Sequence, residues 1–591
     1  MAKRQRTAFR RETKEVFSMD KVVNIRINGR HIRARTGQTV LEAARAAGID
    51  IPSLCHHPSV KPIGACRICV VEIERQRGLQ TACTFPVFEG MRVETESEKV
   101  VEERKFVLQM LFSEGNHYCP FCEASGDCEL QALAYRYGLD HWTYVHPDEA
   151  KPVDGTRQYF IMDYNRCILC RRCIRACSEL AANHTLGVKF RGAKTIVCAD
   201  GGVPFGSSSC VNCGTCLQIC PTGALIDRVS AYGGRESQTE RTPSVCLFCS
   251  VGCGSEIVTR AGRILRIEGD WEEHNHGVLC ERGRFLPFQE TRRRIETPLL
   301  RREGTLQPVS WEEALEALAQ AIRNTPEKKV GAWTTCRTLN LTLSEFVAVF
   351  LGKVGANVGV LELTLARFKL PMGGSLKDLL AADTILVTGA DPLSDHPVIG
   401  YHIKRACMHN GAKLIVVSDN HHSMSRFADR TFPLAEMEKA VKICQESAVP
   451  VVLYGEETPP DQAEKLAVLQ RKAHFIPLFP ASNGFHAKAL GLRATFDPTS
   501  MDTVYLLVED TELSEEKIRQ ARKAKFLAVH ATFHSPLTEV ADCVLPALLW
   551  CEHEGSLYNL EGKKVAVRRA VPLPEGMIPE NEVLTQLAAL L

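Results

Sequence analysis

The chain has 591 residues, 45% of them hydrophobic and 24% charged, with a formal net charge of +2. That length calls for several domains, each burying its own core, and a mean hydropathy of -0.11 is that of an ordinary globular protein. The charge balance gives no basis for nucleic acid or an anionic membrane as partner, and no apolar run approaches the roughly 20 residues of a membrane-spanning helix.

Cysteine placement is the informative feature. Nineteen of the 25 cysteines fall into five groups before residue 281; Cys198 lies between groups, and five scattered cysteines follow. Residues 1–20 are a basic arm containing Arg10-Arg11. No apolar stretch follows the arginines, so the arm reads as solvated or partner-binding, not as a signal peptide. Without an export signal, this many cysteines are expected as reduced thiolate ligands in the cytoplasm, not as disulfides.

Val22-Val23-Asn24-Ile25-Arg26-Ile27 alternates as a strand does, Asn28-Gly29 turns the chain, and a second strand follows. A short helix starts at Thr39-Val40-Leu41-Glu42. Cys55, Cys66, Cys69 and Cys83 then follow with spacing C-x10-C-x2-C-x13-C. A close pair with two distant cysteines lets a loop fold over a flat [2Fe–2S] centre; a four-thiolate zinc site is the alternative. Strand, strand, helix and cysteine-rich loop together resemble the β-grasp ferredoxin. His56 and His57 read as solvated loop residues.

The apolar residues Val100, Val101, Phe106, Val107, Met110 and Leu111 have the period of a helix over Glu98–Glu114, with Gly115 as its stop. His117, Cys119, Cys122 and Cys128 come next. Three cysteines cannot fill four iron corners, so His117 is the nearest candidate for the fourth ligand. A neutral imidazole would leave a [4Fe–4S] cube less negative and raise its potential. The alternative is a hydrogen-bonded surface histidine with the fourth ligand elsewhere.

Cys167, Cys170, Cys173 and Cys177 spell C-x2-C-x2-C-x3-C, and Cys210, Cys213, Cys216 and Cys220 repeat it with Pro221 closing the second run. In this two-cluster pattern the fourth cysteine of each set crosses to the other cube. Cys167, Cys170, Cys173 and Cys220 would hold one cube, and Cys210, Cys213, Cys216 and Cys177 the other. Cys198 fits neither set and reads as a buried or loop thiol. The fifth group, Cys246, Cys249, Cys253 and Cys280, has spacing C-x2-C-x3-C-x26-C and leads into Glu281-Arg282-Gly283-Arg284. It reads as a fourth cube, again with zinc as the alternative.

These motifs carry a resemblance over nearly the whole chain. The first four groups are similar to the N-terminal part of the large iron–sulfur subunit of respiratory complex I, of iron-only hydrogenases, and of the diaphorase iron–sulfur subunit of soluble NAD-reducing hydrogenases. The fifth group, Thr297-Pro298-Leu299-Leu300 and Ser310-Trp311-Glu312-Glu313-Ala314-Leu315 resemble the start of molybdopterin oxidoreductases such as formate dehydrogenase. There Arg282 matches a cofactor-binding position. Only Tyr118 separates His117 from Cys119, a shorter spacing than complex I subunits use, and both ferredoxin sets are complete. Those two departures favour a soluble NAD-linked complex.

Beyond Trp311 helix patterns alternate with short apolar strands near 384–387, 413–417, 450–453, 503–508 and 526–529, as in parallel sheets covered on both faces. Thr388-Gly389-Ala390-Asp391-Pro392 follows a strand and reads either as a ligand crevice or as a plain turn. The stretch matching the family's metal ligand, residues 355–367, has no cysteine; Cys336 comes too early, and Cys336, Cys407, Cys444, Cys543 and Cys551 read as core or incidental thiols. The sequence ends 29 residues after Gly562, where the family continues into a β-domain that grips the pterin.

The expected fold class is therefore multidomain α+β and α/β. The basic arm (1–20) precedes a β-grasp [2Fe–2S] ferredoxin (21–98), a helical His/Cys [4Fe–4S] domain (99–155) and a two-cube ferredoxin (156–238). A [4Fe–4S] molybdopterin-oxidoreductase-type domain (239–295) and a degenerate, truncated molybdopterin-oxidoreductase α/β domain (296–591) complete it. One [2Fe–2S] and four [4Fe–4S] clusters are expected, and no molybdenum. The resemblance implies an electron-relay subunit, non-catalytic by itself, in a multi-subunit NAD(P)-linked hydrogenase, bifurcating or not. Its partners would be a flavin/NAD(H)-binding subunit, a small thioredoxin-like [2Fe–2S] subunit and a catalytic subunit of hydrogenase or formate dehydrogenase. The rivals are a formate dehydrogenase subunit, relay or molybdenum-bearing, and a complex I subunit; iron-only hydrogenase catalysis is excluded because its cysteine-rich domain does not follow Cys280.

Overall fold

Alternation along Val22–Ile27 puts Val23, Ile25 and Ile27 on one buried face. The left-handed pair Asn28-Gly29, φ +50° and +75°, returns the chain as the antiparallel strand Arg30–Arg35. The computed structural model describes residues 21–145, 150–362, 369–492 and 495–591, so the expected basic arm lies outside the described residues. The chain divides into two compact units. One is built from residues up to 153 with 163–172 and 221–224, the other from 154–162, 173–220 and 225–591.

In the first unit a five-stranded sheet runs in the order Arg30–Arg35, Val22–Ile27, Arg92–Glu94, Val70–Ile73, Gln80–Thr81. Thr39 caps the helix Val40–Ala46 by accepting from the Glu42 N–H, while the Glu42 carboxylate accepts from the Thr39 N–H. Leu41 and Ala44 of that helix pack on Ile25, Val71 and Val93. The helix Glu98–Glu114 has the expected bounds and buries Val100, Leu108 and Phe112. Leu108 and Phe112 share a second core with Leu130 and Ala134 of the helix Glu129–Arg136.

The second unit holds three larger sheets. Glu240–Val245, Gly254–Arg260 and Arg263–Gly269 form an antiparallel meander. A five-stranded parallel sheet runs Arg430–Phe432, Lys413–Val417, Thr384–Thr388, Pro450–Gly455, His474–Leu478. Its strands are apolar throughout because both faces are covered: Ile385 and Val387 enter one core, Leu386 and Val417 the other. The third is a seven-stranded sheet of five parallel strands, Val330–Thr334 and Thr503–Glu509 among them, edged by the antiparallel hairpin Leu299–Arg302 and Thr305–Pro308. The helix Trp311–Arg323 starts where Ser310 accepts from the Glu313 N–H. This is the mixed multidomain α/β class expected of the sequence. Among the described residues no helix is long and apolar enough to cross a membrane.

Candidate metal centres

In the first unit the loops around the five-stranded sheet gather Cys55, Cys66, Cys69 and Cys83. The Cys55 N–H donates to Cys66 Sγ at 3.3 Å. Hydrogen bonding from Cys66, then Cys83, lowers the Cys55 thiol, and Cys83 in turn lowers Cys69. The four sulfurs thus form one contiguous set, three of them buried, which fits a metal centre needing four thiolates. His56 departs from expectation. It is buried, its Nδ1 3.1 Å from Arg45, and burial with the Arg45 charge pushes it down to about 4. It is a neutral core residue, not a solvated one.

The helix Glu98–Glu114 delivers the second group. A Cβ on Gly115 would stand 2.3 Å from the Asn165 carbonyl and 3.0 Å from His117 Nε2, so only glycine lets the chain turn there. His117, Cys119, Cys122 and Cys128 line one cavity with Phe112 and Arg166. Arg166 donates to Cys122 Sγ at 3.4 Å, and a Cβ on Gly223 would reach within 2.9 Å of that sulfur. Burial pushes the Cys128 thiol up to about 12, so loading iron must release protons there. His117 packs edge-on to Phe112, centroids 5.3 Å apart. We expect His117→Cys to keep a four-iron centre with a lower midpoint potential, since a thiolate adds negative charge. A redox titration giving the wild-type potential and spectrum would show that His117 is not a ligand.

Of the paired ferredoxin cysteines, Cys167 and Cys170 belong to the first unit, and Cys173, Cys177, Cys210, Cys213, Cys216 and Cys220 to the second. Burial raises Cys177 to about 11, with Cys213 and Cys210 adding repulsion. Cys216 is pushed well up by burial and then by Cys213, Cys210 and Cys177 among its neighbours. These four thiols, the expected ligand set of one cube, therefore converge. Cys198 lies buried in the strand Ile196–Ala199.

The fifth group surrounds a cavity lined by Cys246, Cys249, Cys253, Cys280 and Arg282. The Cys246 N–H bonds the Cys253 carbonyl at 2.9 Å, and a Cβ on Gly283 would meet Cys246 Sγ at 3.0 Å. Burial lifts Cys246 to about 12 and raises Cys249 and Cys253 as well, each further repelled by its cysteine neighbours. Cys280 is raised by burial but opposed by the Gly283 and Arg282 N–H groups and the Arg282 charge, which favour its thiolate.

In the α/β half, residues 363–367 of the stretch expected to carry a metal ligand lie outside the described residues. Cys336 follows the strand Val330–Thr334, and its N–H donates to Glu362 Oε2 at 2.8 Å. Burial, then the Glu362 and Glu456 carboxylates, push its thiol well up; its charged neighbours are carboxylates, whereas the grouped cysteines neighbour one another. Burial also dominates the raised thiols of Cys407, Cys444, Cys543 and Cys551. At Gly389, φ +65°, a Cβ would strike Thr458 Oγ1, and Asp391 accepts from Leu393 and Ser423 N–H groups. The segment is a tight turn at the C-terminal end of its strand.

One acid of this half has a pH signature. Burial holds Glu509 up at about 7 against the pull of His553. The folded chain keeps that proton through the window from 4.5 to about 7 while the unfolded chain loses it, so this group makes stability fall as pH rises there. Glu509→Gln should flatten that slope; denaturant midpoints on either side of the window measure it, and an unchanged slope refutes the assignment.

Known families cover the same ground. The family model of the 2Fe-2S iron-sulfur cluster binding domain matches residues 20–98, and that of the NADH-ubiquinone oxidoreductase-G iron-sulfur binding region matches 104–142. The NADH-quinone oxidoreductase subunit 3 ferredoxin-like domain matches 159–226, the molybdopterin oxidoreductase Fe4S4 domain 239–290, and molybdopterin oxidoreductase 294–446 and 451–590. A G-type NADH-quinone oxidoreductase subunit of Rhizobium meliloti is 33% identical over 67% of this chain, though the match spans only 48% of that protein. NADH-quinone oxidoreductase subunit 3 of Thermus thermophilus is 28% identical over 96% of this chain and 82% of its own length. A solved NAD+-reducing [NiFe]-hydrogenase chain is 37% identical, covering 36% of this chain and 90% of that one, with a TM-score of 0.34.

Proposed function

The chain belongs to the family of complex I large iron–sulfur subunits, and we propose that it relays electrons between a flavin/NAD(H)-binding subunit and a separate catalytic subunit. The observation that carries this reading is the grouping itself. The Cys55 group, the Cys119 group, the set Cys177, Cys210, Cys213 and Cys216, and the Cys246 group each lie close enough for their cysteines to shift one another's ionisation, whereas Cys336 is held against carboxylates.

When bound, iron–sulfur clusters supply one-electron redox chemistry with no group transfer. We assign one [2Fe–2S] centre to Cys55, Cys66, Cys69 and Cys83, and four cubes to the remaining groups as the sequence pairs them. The chain's own residues hold the irons, exclude water and set charge. Arg166 beside Cys122 and Arg282 beside Cys280 place positive charge where a reduced centre gains negative charge. The assembly we favour is a soluble NAD(P)-linked hydrogenase in a reducing cytoplasm, with a small thioredoxin-like [2Fe–2S] subunit between flavin and relay.

The reconstituted chain alone should accept electrons from dithionite yet oxidise neither hydrogen, formate nor NADH with a dye acceptor. Adding the flavin partner should let NADH reduce its clusters. NADH oxidation by the isolated chain would overturn the relay reading.

A further inference from the structure

Four residues past Cys280, Arg284 turns its side chain back across the ferredoxin loop of the same unit. It is 3% exposed. Its N–H bonds the Cys280 carbonyl at 3.1 Å, while its Nε donates to the Cys213 carbonyl at 2.9 Å. The other two nitrogens donate to the Ile267 carbonyl at 3.1 Å and to Gln218 Oε1 at 2.7 Å. The loop is shaped to receive it. Gly214 is left-handed, φ +67°, and a Cβ there would overlap the Arg284 side chain.

A second bridge runs alongside. Glu281, next to Cys280, accepts from Asn212 Nδ2 at 3.1 Å, Asn212 being next to Cys213. Glu281 also accepts from the Tyr159 hydroxyl at 2.6 Å, and the Tyr159 ring stacks on Phe285 at 4.4 Å. Two residues of one ligand segment thus grip the neighbours of a ligand in another.

We propose that Arg284 and Glu281 are positioning residues that lock the cube of Cys246, Cys249, Cys253 and Cys280 onto the cube of Cys177, Cys210, Cys213 and Cys216, so that electrons pass between them. This rests on the cluster assignment above. The step is the transfer of one electron from the reduced cube to the oxidised one; no bond forms or breaks, and no proton moves. Tunnelling falls off exponentially with the gap, so a side chain fixing two ligand segments fixes the rate. The charge has a second role. Arg284 donates to three neutral oxygens, and its charge partners are Glu268, Cys213, Asp227 and Cys216, two carboxylates and two ligand thiols, which offset the cost of burying a guanidinium. A cube with four thiolates carries net negative charge on either side of it, so Arg284 favours the reduced form of both. The fifth centre is then a terminus of the wire inside the α/β half.

The test uses the full chain, reconstituted anaerobically as wild type, R284Q, R284K and E281Q. Iron content is measured first, then an EPR-monitored redox titration is run. Wild type should show spin-coupled, broadened signals when both cubes are reduced. R284Q should lower both potentials and weaken the coupling, and R284K should recover the potentials because the charge returns. E281Q, which loses a negative charge, should shift the fifth cube upward. A full iron complement with uncoupled wild-type signals, or with unmoved potentials in both R284Q and E281Q, overturns the bridge. Should R284Q lose iron, the E281Q shift decides alone. Wild type lacking the iron of either cube would instead fault the cluster assignment.

Discussion

Removing iron should unfold the first unit while the seven-stranded sheet of the α/β half persists. The thiols there are part of the cores: Cys69 and Cys83 pack with Val71 and Ile73, and Cys66, Cys119 and Cys128 flank Leu54, Ile68 and Leu108. A cluster joins four points of the chain, so each should contribute at least the ~3 kcal/mol of a covalent cross-link closing a loop of comparable length. Small domains have only ~5–15 kcal/mol in total. The cores around Leu386, Ile415, Leu506 and Val529 contain none of the grouped cysteines. Limited proteolysis after anaerobic chelation should therefore cut within 21–145 and spare Thr503–Glu509. A first unit equally resistant with and without iron would show that its fold does not depend on clusters.

Arg104→Ala should cost the first unit about 3 kcal/mol or more and release its [2Fe–2S] centre. The Arg104 side chain is fully buried. It donates to the Ile68 carbonyl at 3.1 Å, the Val70 carbonyl at 2.9 Å, the Tyr137 hydroxyl at 2.7 Å and Glu96 at 2.9 Å. Ile68 and Val70 flank Cys69, so this one residue of the helix Glu98–Glu114 fixes a ligand loop. Deleting it strands two buried carbonyls, at ~1–3 kcal/mol each; Glu96 is half-exposed and adds little. Arg104→Lys should not rescue, because a point ammonium cannot serve four acceptors spread around a planar fork. Denaturant midpoints and visible absorbance test this together, and a change below about 1 kcal/mol with the absorbance intact contradicts it.

The sequence made much of this legible where one periodicity or one residue dominated. Val22–Ile27, Glu98–Glu114 and Lys413–Val417 fall where their patterns put them. Gly115 stops its helix because no side chain fits beside Asn165. Cysteine spacing proposes the groups, and the thiols of Cys55, Cys66, Cys69 and Cys83 and those of Cys246, Cys249, Cys253 and Cys280 are neighbours in the fold. His56 reads as a solvated loop residue in sequence, and its burial beside Arg45, eleven residues earlier, is a contact that no local pattern reports. The meander Glu240–Gly269 went unseen although Ala261-Gly262, both left-handed, marks its second turn. Arg104 and Arg284 look like surface charges in sequence. Their partners lie 33–36 and 66–71 residues away for the side-chain bonds to Ile68, Val70, Tyr137, Gln218 and Cys213, and only the folded chain shows them.

The central claim, a relay of five iron–sulfur centres with no catalytic metal of its own, is tested most directly by metal analysis of anaerobically purified chain. One [2Fe–2S] centre and four cubes require roughly 18 iron per chain, with neither zinc nor molybdenum in stoichiometric amount. Zinc filling the Cys55 or Cys246 group, or bound molybdenum or tungsten accompanied by formate oxidation, would contradict the account.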